Sequence, residues 1–284
     1  MADDERTQLV HTPREAFAAL DLARIRAQGK LLTVDMDVWD GLQYGPEPEQ
    51  TLDAWELYDL APREGWPAVM FLHGGGWVTG HRDVFRVQAP LLARKGVLSA
   101  SAGYRLAPAH RWPAQLDDVL AAIERLRGLQ IDQERIGLWG VSAGGHLALL
   151  AAQELGPEVI KCVVTLGAPT DLLALRDGGY DELPLIFEDE QLREASPALS
   201  DKPLPPVLCL HGERDPVVPV DQARRLAAAH ANVELRVVKK GDHMLRFPPQ
   251  AGVKELKRAR DWVKDRLADK PRGSKWKIRR KSRR

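Results

Sequence analysis

The chain has 284 residues, 44% of them hydrophobic, with 41 basic and 40 acidic side chains. Length and apolar fraction suit a globular protein with a sizeable core, one large α/β domain or two modest ones. No apolar run approaches the ~20 residues that cross a bilayer, and the opening "MADDERTQLV" carries charges where a secretory leader carries its apolar stretch, so a cytoplasmic location is expected.

Residues 14–28, "REAFAALDLARIRAQ", place Phe17, Leu20 and Ile25 on one helical face. This predicts an N-terminal helical segment within residues 1–30, ending at Gly29. Beyond it come two extended stretches, "LLTVDMDVW" and "TLDAWELYDL", joined by a Gly-Pro-rich connection with no helix between them. They are expected to pair antiparallel at one edge of a sheet. From Pro67 onward apolar runs alternate with helical ones. The strand candidates are "AVMFLHG", "VLSASAGY", "RIGLWGVS", "IKCVVTLGA", "PPVLCLHG" and "VELRVVKKG"; the helix candidates span 84–95, 113–129, 143–155, 221–230 and 252–267. That alternation means βαβ units and a parallel sheet covered on both faces. About eight strands in one mostly parallel sheet, within a single domain over residues 1–268, is the predicted α/β architecture.

One connection is too long for an ordinary loop. Residues 171–201 hold "RDGGYDELPLIFEDEQLREASPAL", which reads as a small cap over a site. The chain closes on "KPRGSKWKIRRKSRR", nine basic residues and no acid, leaving 32 basic against 40 acidic residues elsewhere. Residues 269–284 are expected to be a disordered, solvated tail that binds polyanions weakly and no nucleic acid specifically. Cys162 and Cys209 lie in apolar runs without a CxxC spacing or a partner cluster, so they read as reduced structural cysteines and no metal is expected.

Chemistry concentrates in "LWGVSAGGHLAL". Gly140-Val141-Ser142-Ala143-Gly144 fits G-x-S-x-G, with a predicted strand before it and a helix after it, the setting of a nucleophile elbow. A serine nucleophile needs a base, and the base an orienting acid. Downstream, "HGERDPVVP" puts Asp215 after one strand and "KKGDHMLRF" puts His243 after the next, both at carboxyl ends of strands, where open α/β sheets hold ligands. Asp171 in "GAPTDL" and Asp242 are the rival acids. His146, four residues along the helix from Ser142, reads as packed; His211 lies within a strand end, and His11, His81, His110 and His230 have no motif around them. Upstream, "HGGGW" supplies consecutive glycines, as a loop that brings backbone N–H groups up to an oxyanion requires. The phosphate-binding patterns G-x-G-x-x-G and G-x-x-x-x-G-K-[ST] are absent. His73 reads as tying this loop down; Trp77 either lines the acyl pocket or packs.

With "HGGGW", "YRLAP", "GVSAGG", Asp215 and His243 in this order, the chain resembles the α/β-hydrolase superfamily and, within it, the HGGG-type esterases, over about residues 44–267. The hormone-sensitive-lipase-like branch has aspartate before the serine where this chain has Val141. In that departure it is similar to the feruloyl-esterase-like and kynurenine-formamidase-like branches. The resemblance implies Gly75, Gly76 and Ala143 as oxyanion donors. The expected function is a serine carboxylic-ester hydrolase acting through an acyl-enzyme on short-acyl or aryl esters, with Ser142, Asp215 and His243 catalytic, Trp77 at the substrate and no cofactor. The alternatives are an arylformamidase-type amide hydrolase and a non-catalytic small-molecule-binding protein; a homo-oligomer is left open.

Overall fold

A computed structural model describes residues 21–58 and 62–268. The expectations for residues 14–20 and for the basic tail lie outside these.

The elements run α1 (Leu22–Leu32), β1 (Met36–Gln43), β2 (Thr51–Leu57), β3 (Trp66–Leu72), α2 (Gln88–Ala93), β4 (Leu98–Ala102), α3 (Ala114–Arg127), β5 (Ile131–Val141), α4 (Ala143–Leu155), β6 (Ile160–Leu166), α5 (Leu172–Asp177), α6 (Gln191–Glu194), β7 (Val207–Gly212), α7 (Asp221–Ala229), β8 (Val233–Val238) and α8 (Pro249–Leu267). Eight strands form one sheet in the order β1-β2-β4-β3-β5-β6-β7-β8. The β1–β2 and β2–β4 pairs are antiparallel and the other five are parallel, the predicted arrangement. Buried strands alternate their side chains between two cores. Ala68, Met70 and Leu72 of β3 pack with Val119 and Ile123 of α3 and Leu147 of α4. Val69 and Phe71, on the opposite face, pack with Leu92 of α2 and Ala259 and Val263 of α8. Both faces are therefore dry, and every residue of β3, β4 and β7 is buried.

Several boundaries differ from the sequence reading: β5 begins at Ile131 rather than Arg135, and α8 at Pro249 rather than Gly252. The first helix does not stop at Gly29 but continues to Leu32, and the strand after it begins only at Met36. Gly29 is a contact, not a terminator: a Cβ there would lie 2.6 Å from the Arg86 carbonyl oxygen. The contact sits beside a charge network. Asp83 takes Arg86 Nε at 2.5 Å and pairs with Arg26 of α1, while fully buried Asp53 takes Arg86 Nη2 at 2.7 Å and Arg82 Nε at 3.0 Å. Likewise, the helix expected over 84–95 is split into a 3-10 turn, Arg82–Phe85, and α2. Among the described residues, no helix is long and apolar enough to cross a membrane.

Candidate functional site

Ser142 occupies the single residue between β5 and α4, at φ 53° and ψ −123°. A side chain there is strained by ~1–3 kcal/mol, and the turn persists because its surroundings fix it. Ser142 N–H donates to Leu166 O at 2.7 Å, and Gly145 N–H returns to Ser142 O at 2.8 Å. The small residues around the serine are required by close approach. A Cβ on Gly144 would run into the carbonyls of Leu72 and His73, and one on Gly145 would lie 2.7 Å from Ala168 Cβ. The hydroxyl thus sits at the carboxyl end of the sheet, beside the positive end of α4.

The glycine loop leaves β3 directly opposite. A Cβ on Gly74 would be 3.0 Å from Ser142 Cβ. Gly75 and Gly76 have φ of 118° and 60° and Trp77 has φ 60°, and Gly75 O takes the N–H groups of Val78 and Thr79. The N–H groups of Gly75 and Gly76 meet no acceptor among the described residues. That of Ala143, the first residue of α4, has no partner within its helix. His73 ties the loop down: its Nδ1–H donates to Gly74 O at 2.8 Å, and its ring stacks on Tyr104 with centroids 4.1 Å apart. The Tyr104 hydroxyl donates to His73 O at 2.7 Å. Burial holds the pKa of His73 down to about 4, so the ring is neutral.

Asp215 and His243 stand in the loops after β7 and β8. The imidazole donates from Nδ1 to Asp215 Oδ2 at 2.7 Å, because a carboxylate can only accept. Nε2 is therefore the accepting nitrogen when the ring is neutral. Gly167, next to the Leu166 carbonyl that holds Ser142, lies against this ring: a Cβ there would be 3.0 Å from His243 Nδ1. The loops after β7 and β8 so bring Asp215 and His243 together, the loop after β6 lies between His243 and the backbone that holds Ser142, and all three side chains are buried, at 3% exposure for Ser142 and His243 and 9% for Asp215. Asp215 Oδ1 takes the N–H groups of Val217 and Val218, each at 2.9 Å. Burial alone would raise the pKa of this carboxyl, but bonds from His211 and His243 outweigh it and hold the group well below the usual carboxylate range.

The rival acids are otherwise engaged. Asp171 caps α5 through Ala174 N–H at 3.0 Å and pairs with Arg225 at 3.2 Å. Asp242 takes Arg246 N–H at 2.6 Å. His146 is fully buried, donates from Nε2 to Ala195 O at 2.7 Å, and is kept neutral by burial, with a pKa of about 4. His211, which the sequence offers only as a strand-end residue, has Nε2 3.2 Å from Asp215 Oδ2. The four-residue spacing in "HGERD" was the available signal, since it folds the carboxylate back onto the strand end.

Residues 171–201 form α5, a 3-10 turn at Leu183–Leu185, α6 and a second turn at Pro197–Leu199. Phe187 from this cap meets Trp77 edge-on at 5.4 Å and Trp112 at 5.2 Å between ring centroids. Trp77 is fully buried, also edge-on to His146 at 5.1 Å, so it is a wall under the cap. Cys162 and Cys209 are free and buried. Among the described residues no group of three His, Cys, Asp or Glu side chains is placed to hold a metal ion.

Comparison with known proteins points the same way. The sequence pattern of the BD-FAE family matches residues 59–230. Esterase LipC of Mycobacterium tuberculosis is 33% identical over 211 residues, covering 64% of this chain and 52% of that protein. An ethyl acetate hydrolase of Pseudomonas putida is 40% identical over 96 residues, 32% of this chain and 30% of that one. The chain spans about half the length of the Mycobacterium relatives it matches. Among solved structures, a truncated carbohydrate esterase from gut microbiota superposes with TM-score 0.72 at 22% identity, covering 83% of this chain and 98% of its own. The metagenomic carboxylesterase EstE1 does so with TM-score 0.68 at 23% identity, covering 91% and 98%. At such identities these neighbours speak for the fold alone.

Proposed function

The chain belongs to the BD-FAE family, and from that premise we propose that it is a serine carboxylic-ester hydrolase working through an acyl-enzyme. The observation that carries this reading is the Asp215–His243 bond at 2.7 Å, in a chain whose Ser142 is held on a strained elbow. Ser142 Oγ attacks the ester carbonyl carbon as His243 Nε2 takes its proton. Asp215 holds the tautomer that leaves Nε2 free and stabilises the imidazolium that forms. The carbonyl oxygen gains negative charge in the tetrahedral intermediate, and the N–H groups of Gly75, Gly76 and Ala143 receive it without reorganising. Collapse breaks the bond to the alcohol oxygen, which leaves with the proton from His243. Water then enters, gives a proton to His243 and attacks the acyl carbon, releasing the acid and restoring Ser142.

The aromatic wall under the cap favours short acyl or aryl groups over long chains. The name ethyl acetate hydrolase specifies a short acyl group and supports this choice, while the Mycobacterium relative's name, esterase, supports an ester substrate without fixing its acyl length. The basic segment 270–284 adds weak, salt-sensitive attraction for polyanions, to be read from heparin retention that disappears on truncation at residue 269. The central test is hydrolysis of p-nitrophenyl acetate, butyrate and octanoate together with covalent labelling by a fluorophosphonate. Turnover favouring the short esters and a label on Ser142 support the proposal. Absence of both, or turnover that survives Ser142→Ala, defeats it.

A further inference from the structure

Two imidazoles lie against Asp215 Oδ2. His243 Nδ1 lies at 2.7 Å and His211 Nε2 at 3.2 Å. His211 Nε2 is also 2.8 Å from Val218 O. A carbonyl only accepts, so this nitrogen carries a hydrogen in either ionisation state, shared between Val218 O and the carboxylate. We propose that His211 is a positioning residue for the triad acid, setting where Asp215 Oδ2 points and how much negative charge it presents to His243. This rests on the triad reading above.

Three observations support the role. The carboxylate is buried, so each lone pair without a donor costs free energy. Val217 and Val218 serve Oδ1, and His211 supplies the second N–H at Oδ2 beside that of His243. Second, His211 is completely buried, where an aliphatic side chain would fill the core without the cost of desolvating an imidazole. Third, burial alone would lower the pKa of the ring, yet the bond to Asp215 and the adjacent Cys209 thiol hold it up to about 9. The ionisable groups facing the carboxylate are His211 from β7, His243 from the loop after β8 and Tyr180 from the cap, with Cys209 beside His211. Glu213 and Asp242 are turned away to the N–H groups of Lys240 and Arg246.

Removing the His211 donor leaves Oδ2 more negative and less fixed. The imidazolium of His243 then becomes easier to form, and the acid limb of kcat/KM moves to higher pH. Because His211 is buried behind the acid, substrate affinity is untouched. The test compares the full-length wild type with His211→Met, which has no donor, and His211→Gln, whose amide nitrogen matches the reach of Nε2. Rates on p-nitrophenyl butyrate are measured from pH 5 to 9, with melting curves alongside. His211→Met is expected to lose about tenfold or more in kcat, keep KM within about twofold, and shift the acid limb upward by about half to one pH unit. His211→Gln is expected to recover most of both losses. A folded His211→Met with wild-type kcat and acid limb overturns the proposal, as does a His211→Gln no better than His211→Met. Should His211→Met not fold, His211→Asn, polar but one bond too short to reach, takes its place with the same expectations. A wild type that hydrolyses the ester and takes a fluorophosphonate on Ser142, with indifferent His211 variants, sinks this proposal alone. A wild type that does neither sinks the triad, and this proposal with it.

Discussion

Replacing Asp215 by Asn tests the site through a change of one atom. Oδ1 accepts two backbone N–H groups and Oδ2 accepts from His243 and His211, so all four contacts arrive as donors. The asparagine amide has one accepting oxygen. Set toward Val217 and Val218, it leaves its NH₂ group facing the N–H of His243. Turned the other way, it sets NH₂ against two backbone N–H groups. The first arrangement is the cheaper, and His243 relieves the clash by moving its proton to Nε2, the nitrogen that must accept from Ser142. In the Ser-His-Asp template that wrong tautomer costs about 10⁴ in kcat, or about 5.4 kcal/mol of barrier. The assay is initial-rate hydrolysis of p-nitrophenyl butyrate at pH 7, with thermal melts to show that the variant is folded. Asp171→Asn is the control: its amide oxygen still caps α5, and the lost ion pair is with a half-exposed Arg225, so its kcat should match wild type. A folded Asp215→Asn within tenfold of wild-type kcat would refute the tautomer argument, and equal losses in both variants would refute the choice of acid.

Ser142→Ala should lose about 10⁶ in kcat, and adding His243→Ala should cost little more, because such residues act as a unit; additive losses would contradict this. Ser142→Gly, freed of a side chain at φ 53°, should be more stable than Ser142→Ala by about 1 kcal/mol in urea unfolding, and an equal or lower midpoint would show that the elbow is not strained. Glu56 lies directly across from Asp37 between β2 and β1, and burial first, then the Asp37 charge, pushes its pKa up to about 7. A carboxyl raised above its unfolded value stabilises the fold below the unfolded pKa and loses that contribution as pH rises toward 7. Glu56→Gln should therefore leave Tm unchanged at pH 5 and raise it at pH 8, and the opposite ordering in a melting series would reject the assignment.

The parts of the site legible in the sequence are those whose constraint is local. "GVSAGG" announces an elbow because only small residues survive contact with the carbonyls of Leu72 and His73. Asp215 and His243 could be placed because each closes a strand whose apolar run ends just before it. Gly29 was misleading: its missing side chain answers to Arg86, 57 residues away, rather than to its own helix. Position 211 was passed over for a related reason. A strand-end histidine looks inert until the turn through Glu213 and Arg214 brings a carboxylate back to it. Trp77 was ambiguous because the cap's Phe187 decides what the indole faces, and nothing near "HGGGW" records where that cap folds.

The base of the cap is stitched shut. Ala198 N–H donates to Thr170 O and Leu172 N–H to Ser196 Oγ, each at 2.8 Å, while His146 and Gln153 of α4 hold the carbonyls of Ala195 and Pro197. The two ends of the segment are thereby clamped to the scaffold independently of what lies between them. Lengthening a loop whose ends are already joined is inexpensive, about 0.6 kcal/mol for each doubling. New residues inserted near Gly178 and Gly179 should pass unnoticed by the sheet and by the loops that carry Ser142, Asp215 and His243. Such a scaffold lets descendants trade one selectivity for another by rewriting the roof while the hearth beneath it stays as built.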